Sequence, residues 1–262
     1  MKKFQHIKLL KPEYLEQYKK LLTTDLKNGF ANLKEKNEAF KDFDYYLASS
    51  STFSSNIEGN TVDFDTYLKS KIFKLDIKKK ETEEIDDLVE GYLFAQKNPI
   101  SLETILKAHS IYARKIIFNK KEVGALRKVK VGVGSEGRLV YLAIEPEWVE
   151  SELKKLFSDI AILLKIDLSL EEIFYFASMI HLKFVNIHPF VDGNGRATRL
   201  LEKWFLASKL GRKAWNIESE KNYFLNRKAY YKNLQMGENY HVINYDLSLP
   251  FLRMLPDSFK ND

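Results

Sequence analysis

The sequence predicts a mainly helical protein carrying one short β-hairpin. Apolar residues recur at helical spacing through most of the 262 residues, and only 6 prolines and 11 glycines interrupt them. One stretch departs from that period. Val129, Val131 and Val133 alternate with Lys130 and Gly132, and Gly134-Ser135-Glu136-Gly137 then turns the chain into Leu139, Val140 and Tyr141.

In chain order, helices are expected over residues 12–28, 33–57, 81–97, 101–117, 146–164 and 222–235, with the hairpin at about 129–142. The third of these begins in a charged run, Lys78-Lys79-Lys80 followed by Glu81, Glu83 and Glu84, which reads as a solvated helix face. A further helix announces its own start, because Ser169 with Glu172 three residues on forms a capping box. Behind that cap, Ile173, Phe176, Ala177, Ile180 and Phe184 form a buried stripe that ends near Asn186. His181 on this stripe, and His109 within Ile105-Leu106-Lys107-Ala108-His109, are expected to be hydrogen-bonded inside the fold. Beyond residue 196, Ala197, Leu200, Leu201, Trp204, Phe205 and Ala207 resume helical spacing. The first fifty residues and the last twenty-five read as packing helices and a tail.

Composition narrows the function. A 45% hydrophobic, 30% charged chain is that of a soluble globular protein with room for a core. The absence of cysteine excludes disulfides and thiolate metal sites and suits a reducing cytoplasm, the compartment expected here. No apolar run reaches the length of a membrane span, and the first residues lack the apolar core of a signal peptide. The net charge of +6 is dispersed among acids, so neither nucleic acid nor membrane is an expected partner.

The chemistry concentrates in one run, Ile187-His188-Pro189-Phe190-Val191-Asp192-Gly193-Asn194-Gly195-Arg196-Ala197-Thr198-Arg199. Gly193 and Gly195 permit a turn whose amides converge on an anion, and a helix start there would reinforce it. Arg196 and Arg199, three apart on that helix, share a face and present guanidinium forks suited to phosphate. Asp192 supplies a hard oxygen for magnesium, a cation often held by a carboxylate together with substrate phosphates. His188 is placed to take a proton from an attacking hydroxyl. Taken singly, a histidine is more often structural and Asp-Gly-Asn-Gly more often a plain turn; together they indicate nucleotide chemistry.

This run resembles the signature of the Fic family, His-x-Phe-x-(Asp/Glu)-Gly-Asn-Gly-Arg-x-x-Arg, at every fixed position. The resemblance implies a helical enzyme that moves AMP from ATP onto a hydroxyl side chain of a protein. It implies that His188 is the general base and that Asp192 binds the magnesium ion. Gly193, Asn194 and Gly195 would form the anion hole, Arg196 and Arg199 would hold the outer phosphates, and Phe190 would anchor the loop. Ala197 and Thr198 lie within the same phosphate-binding stretch. The related Doc branch, which phosphorylates its target, carries a lysine and alanine variant of the loop. The Gly-Asn-Gly-Arg form present here favours adenylylation.

Three further segments extend the likeness. Ser54-Ser55-Asn56-Ile57-Glu58-Gly59 is similar to the family's inhibitory pattern, (Ser/Thr)-x-x-x-Glu-(Gly/Asn), in which the glutamate pairs with the second motif arginine, here Arg199. An arginine already engaged by a carboxylate is unavailable to a phosphate. Considered alone, a helix-end glutamate followed by a C-terminal glycine explains those residues just as well; beside the downstream signature the inhibitory pattern gains weight. The hairpin resembles the family's flap, which aligns the target segment by main-chain pairing; Val131, Gly132 and Val133 are its expected contacts. Tyr230-Tyr231-Lys232-Asn233-Leu234 resembles a segment near the nucleotide base, although Gly237-Glu238-Asn239 departs from the Gly-Asp turn that often follows it.

The resemblance implies an N-terminal region (1–80) carrying the inhibitory motif, a catalytic core (81–210) and a C-terminal segment (211–262). The expected ligands are ATP and Mg2+. The expected partner is a protein presenting a serine, threonine or tyrosine hydroxyl, the chain itself included, and a homodimer is admitted. Two alternatives stay open: transfer of another phosphate-containing group or removal of AMP, and a catalytically inactive nucleotide-binding regulator.

Overall fold

Side chains of Asp25, Asp63, Ser101 and Ser169 cap four of the helix starts in the computed structural model, which describes residues 2–33, 45–135 and 137–260. The expected helix over 12–28 is two, α1 (Leu15–Leu21) and α2 (Leu26–Asn32), because the chain extends at Leu22 and Asp25 caps a fresh start through the Asn28 amide. α3 spans Tyr45–Ile57; the remainder of the expected 33–57 helix, residues 34–44, lies outside the described residues. α4 (Phe64–Ile72) is not among the expected helices, although Asp63 caps it through the Thr66 amide. α5 (Lys79–Lys97) matches expectation, whereas α6 (Leu102–Tyr112) stops short of 117, where Ala113 closes its last turn.

β1 (Gly132–Ser135) and β2 (Arg138–Leu142) form the hairpin, antiparallel, with Val133 opposite Tyr141 and a bulge at Val133/Gly134. Pairing is shorter than the expected 129–142, but β2 gains a second anchor where the Leu142 amide donates to the Glu238 carbonyl at 2.8 Å. α7 (Pro146–Lys165), α8 (Leu170–Ile187) and α9 (Asn194–Leu210) follow, with the Ser169–Glu172 capping box in place at the head of α8. The expected 222–235 helix is divided into α10 (Ser219–Leu225) and α11 (Arg227–Leu234). At the break, the Asn226 side-chain amide bonds the Asn222 carbonyl, a local alternative to continuing the helix ladder. A short α12 (Leu249–Leu252) lies near the C-terminus.

α8 and α9 pack along each other at the centre, α5 lies along α6, and α3 is held between α5 and α10. Phe174, Phe176, Phe184, Leu200, Leu201 and Phe205 are wholly buried between these layers. Each such side chain contributes about 1.5–3 kcal/mol relative to exposure. One continuous apolar cluster takes in Phe4, Leu88 and Leu255, so residues from all three expected segments share one core. The N-terminal stretch is tied down by Asp159, which accepts from the amides of Lys8, Leu9 and Leu10. Among the described residues, no helix is long and apolar enough to cross a membrane.

Candidate active site

The residues of the signature run sit where α8 hands the chain to α9, and the handover is sharp. His188 is the C-cap of α8 in a left-handed conformation, φ 52°, rare for a residue with a Cβ. Its Nδ1 lies 3.1 Å from the Val185 carbonyl. A carbonyl only accepts, so Nδ1 carries the proton and Nε2 keeps its lone pair. Burial lowers the His188 pKa, Arg127 lowers it further, and the Val185 bond only partly opposes them. The imidazole is therefore neutral at neutral pH, with one nitrogen ready to accept a proton.

The loop closes on itself. The Phe190 amide donates to Asn194 Oδ1 and the Asn194 side chain donates back to the Phe190 carbonyl, both at 2.9 Å. Both ends of the Asn194 side chain are thus engaged by the loop itself. Phe190 is wholly buried and stacks on His109 at 3.6 Å. Gly193 stands at φ +80°, strained for any residue with a side chain, and a Cβ there would press on Tyr112 at 3.2 Å. Thr198 bonds the Asn194 carbonyl and is wholly buried, as is Ala197. These two residues support the loop from within, not the ligand-facing side expected of them, because helical spacing turns them into the core. Asp192 is exposed, and its Oδ1 caps the Gly193 amide at 2.6 Å.

The head of α9 already holds an anion. A Cβ on Gly195 would fall 2.0 Å from Glu58 Oε1, which places that carboxylate against Gly195 in the first turn of α9. Glu58 Oε1 accepts from Arg199 Nη2 at 2.7 Å. The contact is through one nitrogen, not the two-point fork, because Arg199 also donates through Nε to the Ser54 hydroxyl and through Nη2 to the Ser54 carbonyl, each at 2.9 Å. Burial pushes the Glu58 pKa up, but Arg199 and Arg196 outweigh it and hold the carboxyl below the usual range. Gly59 turns the chain away immediately afterwards at φ +103°. The other clamp, Arg196, is also engaged: its Nη2 meets Glu84 of α5, and the Ser55 hydroxyl donates to the same carboxylate at 3.3 Å.

The two tyrosines of α11 separate. Tyr230 is turned into the core with 1% exposure, its hydroxyl 3.2 Å from Arg199 Nη1, so a base contact does not fit it. Tyr231 is 37% exposed and donates to the Ile57 carbonyl at 3.0 Å. Val131, Gly132 and Val133 lie on the accessible hairpin.

Residues 99–206 match the Fic/DOC family. Over that stretch, which includes the whole loop between α8 and α9, the chain is similar to the Fic/DOC family. The protein adenylyltransferase Fic of Aedes aegypti is 25% identical over 270 residues, 97% of this chain and 47% of that protein. The protein adenylyltransferase fic-1 of Caenorhabditis elegans is 34% identical over 112 residues, 42% of this chain and 20% of that one. The chain spans less than half the length of these relatives. In structure, a Fic family protein from Desulfovibrio desulfuricans G20 superposes with a TM-score of 0.70 at 20% identity, covering 90% of this chain and 71% of that one. A Fic domain containing signaling protein from Bacteroides thetaiotaomicron VPI-5482 does so at 0.63 and 18%, covering 95% and 98%. The fold is that of the Fic family.

His109 is hydrogen-bonded inside the fold as expected, but the sequence does not show that it, Tyr112 and Arg127 support this site. His109 accepts from the Gly124 amide at Nδ1, so its Nε2 donates to the Asp192 carbonyl at 3.0 Å. Burial pushes its pKa down to about 4, which keeps that tautomer neutral. Tyr112 donates to the Gly193 carbonyl at 3.0 Å. Arg127, buried, donates to the carbonyls of His188, Val129, Ile144 and Ile187 and so rivets the hairpin base to the loop. Only its place just ahead of the hairpin hints at this.

Proposed function

We propose that this chain is a protein adenylyltransferase held in an inhibited state by its own Glu58. The observation that carries the reading is the Glu58 carboxylate lying over the Gly195 backbone and on Arg199, where an ATP phosphate would have to sit. A carboxylate at that point is a stand-in for the anion the cradle suits. With Glu58 withdrawn, the amides at the head of α9 would receive the inner phosphates, and Arg196 and Arg199 the outer ones. His188 Nε2 would take the proton of a target hydroxyl as its oxygen attacks the α-phosphorus and pyrophosphate leaves.

The residues fit a magnesium ion only as a shared site. Asp192 is exposed beside the cradle, and among the described residues no cluster of three histidines or acids is arranged to hold a metal. Bound there by Asp192 and phosphate oxygens, Mg2+ would neutralise charge developing on the phosphates. The exposed hairpin supports the proposal that the target is a protein segment aligned by main-chain pairing, with Ser, Thr or Tyr as acceptor.

The test is label transfer from α- and γ-labelled ATP to lysate proteins by Glu58→Gly and by Glu58→Gly/His188→Ala. Retention of α-label alone by the first, abolished in the second, is expected. Equal labelling by both overturns the roles given to His188, and retention of γ-label makes the reaction phosphoryl transfer.

A further inference from the structure

Arg199 is held from two sides, and only one of them leaves with the inhibitory segment. Its Nε and Nη2 meet Ser54 and Glu58, both carried by α3 and the turn after it. Its Nη1 meets the Tyr230 hydroxyl of α11. Among the contacts described for this guanidinium, Tyr230 is the partner that persists when α3 and Glu58 give way. We propose that Tyr230, His181 and Glu202 form a buried brace that holds Arg199 in its phosphate-binding pose and so sets the affinity for the outer phosphates of ATP without touching the nucleotide. The inference rests on the proposed role of Arg199.

With an uncharged imidazole at His181, donor and acceptor chemistry sets the direction of the bonds in the brace. Arginine only donates, so the Tyr230 oxygen accepts from Arg199 and its own proton is free for His181 Nε2, 3.0 Å away. His181 Nδ1 must then carry the other proton, which it donates to Glu202 Oε2 at 2.8 Å. Tyr223 donates to the same carboxylate oxygen at 2.9 Å. Arg199, His181 and Glu202 are wholly buried, so water does not compete for these bonds.

The topology makes the chain of bonds a clamp. Arg199 and Glu202 both lie on α9, three residues apart and therefore on neighbouring positions of one face. From Arg199 the bonds run to α11, then to α8, and return to α9 at Glu202. The guanidinium is thereby fixed relative to its own helix through two others. A fork fixed before binding loses less freedom when a phosphate arrives. These are positioning residues, not catalytic ones.

The experiment compares ATP and AMP, with Mg2+, as calorimetric ligands of the full chain. Three proteins are needed: Glu58→Gly alone, with Tyr230→Phe, and with Tyr92→Phe. Tyr92 is an equally buried tyrosine whose hydroxyl bonds the Glu220 carboxylate and makes no hydrogen bond to Arg199, His181 or Glu202. Tyr230→Phe is expected to weaken ATP binding about tenfold, the scale of one lost bond to a charged group. AMP, which lacks the phosphates Arg199 would meet, should bind within about twofold of its original strength. Tyr92→Phe should lower Tm and leave both ligands alone. Should Tyr230→Phe not fold, Glu202→Gln, which keeps the shape but offers His181 an uncharged acceptor, must give a smaller loss confined to ATP. Equal weakening of ATP and AMP, or a fall in Tm with no change in ATP binding, overturns the brace. If Glu58→Gly alone binds no ATP, the proposed function falls and the brace with it.

Discussion

Replacing Glu58 by glutamine keeps the side chain's shape and removes its charge, which isolates the electrostatic part of the inhibitory contact. At the 2.7 Å separation from Arg199, an effective dielectric of about 20 gives an attraction of about 6 kcal/mol as a ceiling. Glu58 retains 27% side-chain exposure while Arg199 has none, so desolvation of the pair cancels much of that. A net value of about 2–3 kcal/mol remains, the upper range for hydrogen bonds to charged groups. If ATP must break this pair to bind, Glu58→Gln should tighten ATP binding about 30- to 150-fold. The Arg196–Glu84 pair is untouched by the substitution and cancels from the comparison. The same net energy is lost from the unliganded fold, so Tm should fall by about 4–12 °C, and saturating ATP should restore it. Calorimetric titration and thermal unfolding with and without ATP read both quantities. A variant whose affinity is unchanged, or whose Tm falls without any gain in ATP binding, refutes competition for Arg199.

Three further outcomes follow from the same geometry. The lowered His188 pKa means the base is competent above a value under the ordinary 6.5, so the kcat/KM of Glu58→Gly should be flat at neutral pH and above; a limb rising above 6.5 contradicts the assignment. Glu58, with its pKa lowered from 4.5, contributes stability fully above that ordinary value and loses it only as pH falls through the lower folded value, so the parent chain should stay inhibited across the neutral range; activation by mild acid above 4.5 would contradict this. Gly193→Ala places a Cβ at φ +80° and 3.2 Å from Tyr112, which should cost about 1–3 kcal/mol in chemical denaturation, and an unchanged midpoint would mean the loop is shaped otherwise.

Features encoded within a few residues were legible in the sequence. The Ser169–Glu172 cap, the Gly193 turn and the helical spacing of Arg196 and Arg199 are each local, and each stands in the structure. The missed helix start at Asp63 and the missed break at Asp25 are local too; both rest on one aspartate capping an amide three residues on, outweighed in the sequence by the apolar period around it. What sequence could not supply is pairing between distant charges. Glu84 belongs to an acidic run read as a solvated face, and its neighbour Glu83 does behave so, pairing with Lys115 near the surface. Helical rotation turns Glu84 toward the site instead, where it meets Arg196 across 112 residues of chain. Nothing in the run distinguishes the two glutamates, because the difference lies in which helix packs alongside. For the same reason Glu202 passes as one polar residue in an apolar helix until α8 brings His181 against it. The anion cradle is thus written in one short motif, while the carboxylates that govern Arg196 and Arg199 are set by the packing of helices from the rest of the chain.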